Sequence, residues 1–320
     1  MLVSMVSYGQ DPQFTQFYAS PLYLNPAFAG TARCPRVMLN YRNQWPALNR
    51  AFVTYAASYD QHFDVLSGGI GLILLKDDAG EGTINTTSAS FMYSYQANLS
   101  RKFSIKAALQ ATYMQKRINW DKLTFGDMID PRYGFVYETQ EVRPNESKGF
   151  ADFSAGILGY SEKFYGGLAV HHLTQPDEAF IVNGASALPM KITAHVGLML
   201  PIAGSSTYGR DKDDGTYLSP NLLYQQQRSF NQLNVGMYFL KSPFVGGLWY
   251  RGSFGKEVTS DAVMALVGLQ KGMFKVGYSY DVTISKLSNA SGGSHEVSVG
   301  IQFYCRPKKK RFRTISCPTF

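Results

Sequence analysis

Residues 274–284 read FKVGYSYDVTI. Phe274, Val276, Tyr278, Tyr280, Val282 and Ile284 share one parity, and Lys275, Gly277, Ser279, Asp281 and Thr283 share the other. Successive side chains of a strand point to opposite faces, so this stretch is a strand with one apolar and one polar face. The same reading holds at 103–113, where Phe103, Ile105, Ala107, Leu109, Ala111 and Tyr113 alternate with Ser104, Lys106, Ala108, Gln110 and Thr112. Further apolar faces are Ala89, Phe91, Tyr93 and Tyr95; Ile192, Ala194, Val196, Leu198 and Leu200; Leu233, Val235, Met237 and Phe239; and Val297, Val299, Ile301 and Phe303.

Working outward, the alternation predicts 14 strands: 36–45, 51–61, 68–76, 84–98, 102–116, 150–160, 164–173, 190–203, 217–226, 231–240, 244–251, 261–270, 272–284 and 294–304. Most approach the roughly 9–11 residues that a tilted strand needs to cross a bilayer. Alternation alone fits a soluble sandwich as well as a membrane barrel, and three features decide between them. The apolar faces carry no charge, while the opposite faces are rich in Ser, Gly, Thr, Gln and Asn, as a lipid-facing wall around a polar lumen requires. Aromatic residues gather near strand ends, at Trp45, at Trp249 with Tyr250, and at Phe303 with Tyr304, which suits interfacial girdles.

Connection lengths also alternate. The turns near 99–101, 161–163, 241–243 and 271 are tight, whereas 117–149, 174–189 and 285–293 are long, the rhythm of an up-and-down barrel. The long link 204–216 falls on the short-turn side and breaks the pattern. Because hydrocarbon offers no hydrogen-bond partners, every strand edge must be paired and the sheet must close. The expectation is an all-β outer-membrane antiparallel barrel over 36–304, with both ends of the chain in the periplasm.

Composition agrees. Charged residues make up 17% of the 320 residues, with 30 Gly, 21 Tyr and 21 Phe, against roughly 25% charge in ordinary soluble domains. The mean hydropathy of -0.17 and the absence of an apolar run of 18 or more residues exclude spanning helices. The net charge of +8 is a property of the end of the chain. Without Arg306, Lys308, Lys309, Lys310, Arg311 and Arg313, 25 basic residues face 23 acidic ones, a net of +2. Nucleic-acid binding by the body of the protein therefore loses most of its support.

Three segments lie outside the alternating region. Residues 1–9, MLVSMVSYG, read as the remnant or mis-started end of a signal peptide, the alternative being a frayed terminus. Residues 10–35 carry Phe14, Phe17, Tyr18, Tyr23 and Phe28 with no clear period. So many aromatics need cover, and the segment is expected to pack on or in the barrel. Residues 305–320 form the basic tail, bracketed by Cys305 and Cys317, which could close it into a disulfide loop or remain thiols; Cys34 has no obvious partner.

Motifs for catalysis, metals or cofactors do not emerge. His62, His171, His172, His195 and His295 lack ligand spacing, and adjacent His171 and His172 are expected on opposite faces of one strand. Asp211, Asp213, Asp214 and Gly215 resemble the start of a calcium loop, but Leu222 stands where a bidentate Glu is needed. The glycines of SGGIGLILL, 67–75, are followed by strand and not by a phosphate-binding helix, and read as relief of crowding in a curved sheet. The tail is either an anchor at anionic headgroups or a cation for an acidic periplasmic partner. Its six basic residues, with Phe14, Phe17 and Tyr18, are the candidate partner-binding residues.

QDPQFTQFYASPLYLNPAFAG at 10–30, NYRNQWP at 40–46, GGSHEVSVGIQF at 292–303 and CRPKKKRFRTISCPTF at 305–320 resemble the PorP/SprF family of type IX secretion system membrane proteins, and the tail resembles the gliding-motility SprF branch. The resemblance implies a noncatalytic outer-membrane component, with no cofactor. Its implied partners are a secreted adhesin's C-terminal domain and periplasmic secretion or gliding components. A channel for small molecules or fatty acids is the alternative. A lipid-modifying barrel enzyme would need a Ser, His and carboxylate brought together by the fold.

Overall fold

A computed structural model describes residues 11–48, 52–100, 102–140, 146–180, 186–203, 215–254, 259–284 and 292–305. Its strands are β1 (Arg36–Gln44), β2 (Phe52–Phe63), β3 (Gly68–Ala79), β4 (Ile84–Asn98), β5 (Phe103–Ile118), β6 (Ile129–Asp130), β7 (Gly134–Phe135), β8 (Ser147–Ser161), β9 (Phe164–His171), β10 (Lys191–Leu198), β11 (Leu200–Ala203), β12 (Thr216–Gln227), β13 (Phe230–Lys241), β14 (Phe244–Phe254), β15 (Thr259–Lys271), β16 (Phe274–Thr283) and β17 (Ser294–Gln302). All but β6 and β7 form one sheet of antiparallel neighbours, closed into a ring by the pairing of β10 with β12 and of β1 with β17.

The 14 expected strands are therefore present, with two refinements. The strand expected at 190–203 is broken at Met199 into β10 and β11, and β11 pairs with β12 alone. The register shifts between Pro201 and Ala203, as expected where proline withholds a ladder donor and is confined to an edge. The small hairpin β6–β7 stands inside the longest loop, outside the barrel sheet.

Side chains obey the predicted parity. Leu109 on the apolar face of β5 is 70% exposed, and Lys106 on the polar face of the same strand is fully buried. Phe274, Val276, Tyr278, Val282 and Ile284 point out, and Lys275, Ser279 and Asp281 point in. A wall that is apolar outside and polar inside is the arrangement of a membrane barrel. Trp249 corrects one expectation: it is 2% exposed and lies in the lumen. Trp249 and Tyr250 are consecutive residues of one strand, so they cannot both face the interface.

The lumen holds residues 11–35. Pro21–Leu24 form a single helical turn, α1, and the Asn25 side chain caps the following 3-10 turn by accepting from Ala27 N. Phe14, Phe17, Tyr18, Leu22, Leu24 and Phe28 are all buried and make the apolar core of the barrel. The segment approaches the wall closely at Gly30, whose φ is +69°. A Cβ built on Gly69 would lie 2.3 Å from the Ala29 carbonyl oxygen, so this glycine of the 67–75 run makes room for the lumenal segment as well as for curvature.

Strand direction places Arg36 and Cys305 at the mouth bounded by the tight turns. Asp11 lies at the other mouth, against His172 and Gln227. The two ends of the barrel thus share one mouth, as an even strand count requires, while the described chain starts at the other, because residues 11–35 run the length of the lumen.

Candidate functional site

Three polar clusters hold the lumenal segment, one at each mouth and one between them. In the middle, Glu296 of β17 accepts backbone N–H groups from Thr15 at 2.6 Å and Gln16 at 3.1 Å. Asp281 of β16 accepts from Thr15 Oγ1 at 2.7 Å. Both carboxylates are paired with Arg42 of β1, at 3.0 Å for Asp281 and 3.3 Å for Glu296, and Arg251 of β14 approaches Asp281 at 3.4 Å. Arg42 also donates to Thr15 Oγ1. Two cations thus face two anions in a buried space, the condition under which buried charge is tolerable.

At the long-loop mouth His172 lies between two carboxylates, with Nε2 2.9 Å from Asp11 and Nδ1 2.9 Å from Asp152. Lys191 approaches Asp11 at 3.5 Å and stands 5.1 Å over the Tyr23 ring. His172 lies just past the end of β9. Burial alone would depress its pKa, but Asp11 and Asp152 outweigh that and raise it to about 9. For Asp11 burial acts to raise the carboxyl, and Lys191 with His172 overcomes it, holding the group well below the usual carboxylate range. The expectation that His171 and His172 point to opposite faces is corrected: both are buried in the lumen. His172 has a φ of +59°, which ends the strand and breaks its alternation.

At the tight-turn mouth Arg36 pairs with Asp60 through two hydrogen bonds of 2.8 and 3.1 Å. Gly30 N donates to Asp60 at 2.8 Å, and the Ala29 carbonyl accepts from Ser94 Oγ at 2.7 Å and from Lys106 Nζ. Cys34 is disulfide-bonded to Cys305. Cys305 is thus neither bonded to Cys317, which lies outside the described residues, nor left as a thiol, the two alternatives the sequence left open, and the bond ties the exit of the lumenal segment to the end of the last strand. The β1–β17 ladder brings Arg36 opposite Gln302, so two cysteines 271 residues apart become neighbours.

The arrangement is one of attachment. With both ring nitrogens of His172 committed to carboxylates, neither is left to take a proton from a hydroxyl nucleophile. Among the described residues no group of three or more His, Cys, Asp or Glu side chains could hold a metal ion. Of the candidate partner-binding residues, Phe14, Phe17 and Tyr18 are 3, 5 and 3% exposed. Phe17 packs edge-on against Trp249, and Tyr18 against Tyr165 and Tyr238. Arg306, Lys308, Lys309, Lys310, Arg311 and Arg313 lie outside the described residues.

The anchors Arg42, Asp281 and Glu296 were not singled out from the sequence. Their signal was available, since a charge inside a lipid-crossing strand must face the lumen.

The sequence profile described as "Type IX secretion system membrane protein PorP/SprF" matches residues 6–301. No curated protein matches the sequence. Among solved structures, the chain is similar to the CymD monoaromatic hydrocarbon channel, with 10% identity and a TM-score of 0.45 over 90% of this chain and 93% of that one. It is similar to the Ralstonia pickettii toluene transporter TbuX, with 11% identity and a TM-score of 0.42 over 88% and 93%. For the KdgM porin the values are 8% and 0.35 over 84% and 99%. The barrel assignment rests on this chain's own strand pairing and not on those likenesses. The profile match extends from the lumenal segment through β17, and the chain belongs to the PorP/SprF family of type IX secretion system membrane proteins, as an outer-membrane β-barrel.

Proposed function

We propose that this protein is a noncatalytic component of the type IX secretion and gliding machinery, of the SprF branch, that binds a surface adhesin through the adhesin's C-terminal domain and helps to secrete or anchor it. The tight turns and the basic tail face the periplasm in this reading, and the long loops face outward. The tail then couples the barrel to periplasmic components of the pathway.

The observation that carries the reading is the lumen occupied by the chain's own residues 14–29. A barrel filled in this way offers its loops and its tail to partners, and leaves less of its lumen to a small solute. That weighs against the channel alternative. Phe14, Phe17 and Tyr18 would reach a partner only if the segment left the lumen.

The test is deletion of 306–320. The barrel is expected to assemble while adhesin display and recovery of periplasmic components with the barrel both fall. Unchanged display and recovery would overturn the assignment of the tail.

A further inference from the structure

The outer wall is not uniformly convex. A cavity of about 610 Å³ opens on the lipid-facing side across β10, β12, β13 and β14. Its floor contains Val196 and Pro220, shorter than the surrounding Phe164, Leu222, Met237 and Leu248. The inward-facing Trp249 lies beneath it, where a Cβ on Gly236 would come within 2.3 Å of the indole.

The cavity lies toward the tight-turn mouth. Phe164 on its rim follows Lys163 directly, and Lys163 is exposed in the β8–β9 turn beside Glu162. Lys241, also exposed, shares the outward parity of Val235 and Met237 on β13. Lys241 lies four positions beyond Met237, about 13 Å along a strand. Two cations thus stand beyond the membrane-surface end of the apolar groove, outside its lining. An acyl chain fits the groove, and a phosphate at headgroup level fits the lysines.

We propose that this groove is a binding site for an anionic glycerophospholipid, with one acyl chain along Val196, Pro220 and Met237 and the headgroup at the end of the groove, flanked by Lys163 before β9 and Lys241 at the end of β13, three strands apart. A zwitterionic lipid presents the same chain and no net charge to the lysines. Each basic residue near an anionic headgroup contributes a factor of about five in binding, so the two together set a preference of roughly tenfold or more.

Trp249 beneath the groove supplies the readout. The full-length chain carrying Trp45→Phe and Trp120→Phe is reconstituted in phosphatidylcholine vesicles with a small fraction of lipid brominated on its acyl chains. Brominated phosphatidylglycerol is expected to quench Trp249 at roughly one tenth the concentration needed with brominated phosphatidylcholine. Lys163→Gln with Lys241→Gln abolishes the difference, and Val196→Phe, which fills the groove from the lipid side, abolishes the strong quenching. Equal quenching by the two lipids, or a preference that survives the double lysine change, would overturn the proposal. Displacement by unlabelled phosphatidylglycerol is expected; displacement by lipid A alone would assign the groove to the opposite leaflet and defeat it. None of these outcomes depends on adhesin binding.

Discussion

His172 Nε2 donates to the Asp11 carboxylate at 2.9 Å, joining residues 161 positions apart and closing one end of the lumenal segment against the wall. The other end is covalent, through Cys34 and Cys305. The two attachments differ in kind, and only the first responds to pH.

His172 has its pKa raised to about 9 in the folded protein. A raised histidine contributes stability that is complete below its ordinary value of about 6.5 and is lost as pH rises through the folded value. Asp11, held low, contributes above the ordinary carboxylate range and loses that contribution only in strong acid. The attachment is therefore firm at neutral pH and loosens in alkali. A nitroxide at Gln13 is expected to show a growing mobile component as pH passes 9, and His172→Gln shows it already at neutral pH. A spectrum independent of pH in the parent chain would contradict this.

Glu296 accepts two backbone N–H groups of the lumenal segment and faces Arg42. Glu296→Ala leaves those donors without that acceptor and strips Arg42 of one of its two anions. Removing one partner of a buried ion pair costs about 3–5 kcal/mol. The midpoint of chemical unfolding in detergent micelles should fall accordingly. Glu296→Gln, which still accepts a hydrogen bond, should recover part of the loss. A midpoint unchanged by the alanine substitution would show that the cluster does not hold the segment.

Phe14, Phe17, Tyr18, Leu22 and Phe28 fill the space inside the ring. Deleting 11–30 should convert a barrel that passes little current in planar bilayers into one with steady conductance. Equal conductance before and after the deletion would mean that the segment does not block the lumen.

The Cys34–Cys305 bond fastens the tight-turn end of β1 to that of β17, where the chain closes the ring. Mass spectrometry of a digest made without reductant should recover the Cys34–Cys305 cross-linked peptide. A Cys305–Cys317 peptide in its place would refute the pairing. Cys34→Ser with Cys305→Ser should lower the temperature at which the folded barrel loses its fast mobility on a gel, because the linkage restricts the unfolded chain.

Much of this protein is legible without coordinates. FKVGYSYDVTI and its counterparts assign each residue to lipid or lumen, because strand parity is a local property set by the next residue but one. The count of 14 strands and the need to close them follow from the same pattern and from the dryness of hydrocarbon. What the tertiary structure alone decided is how the lumen is filled. The pairings Thr15–Glu296, Asp11–His172 and Cys34–Cys305 span 281, 161 and 271 residues, and no local periodicity encodes a contact that exists only once the ring has closed. His172 and Trp249 belong to the same lesson. The first leaves the alternation through a left-handed backbone, and the second, expected at the interface, turns inward to meet Phe17 from the chain's own N-terminal segment.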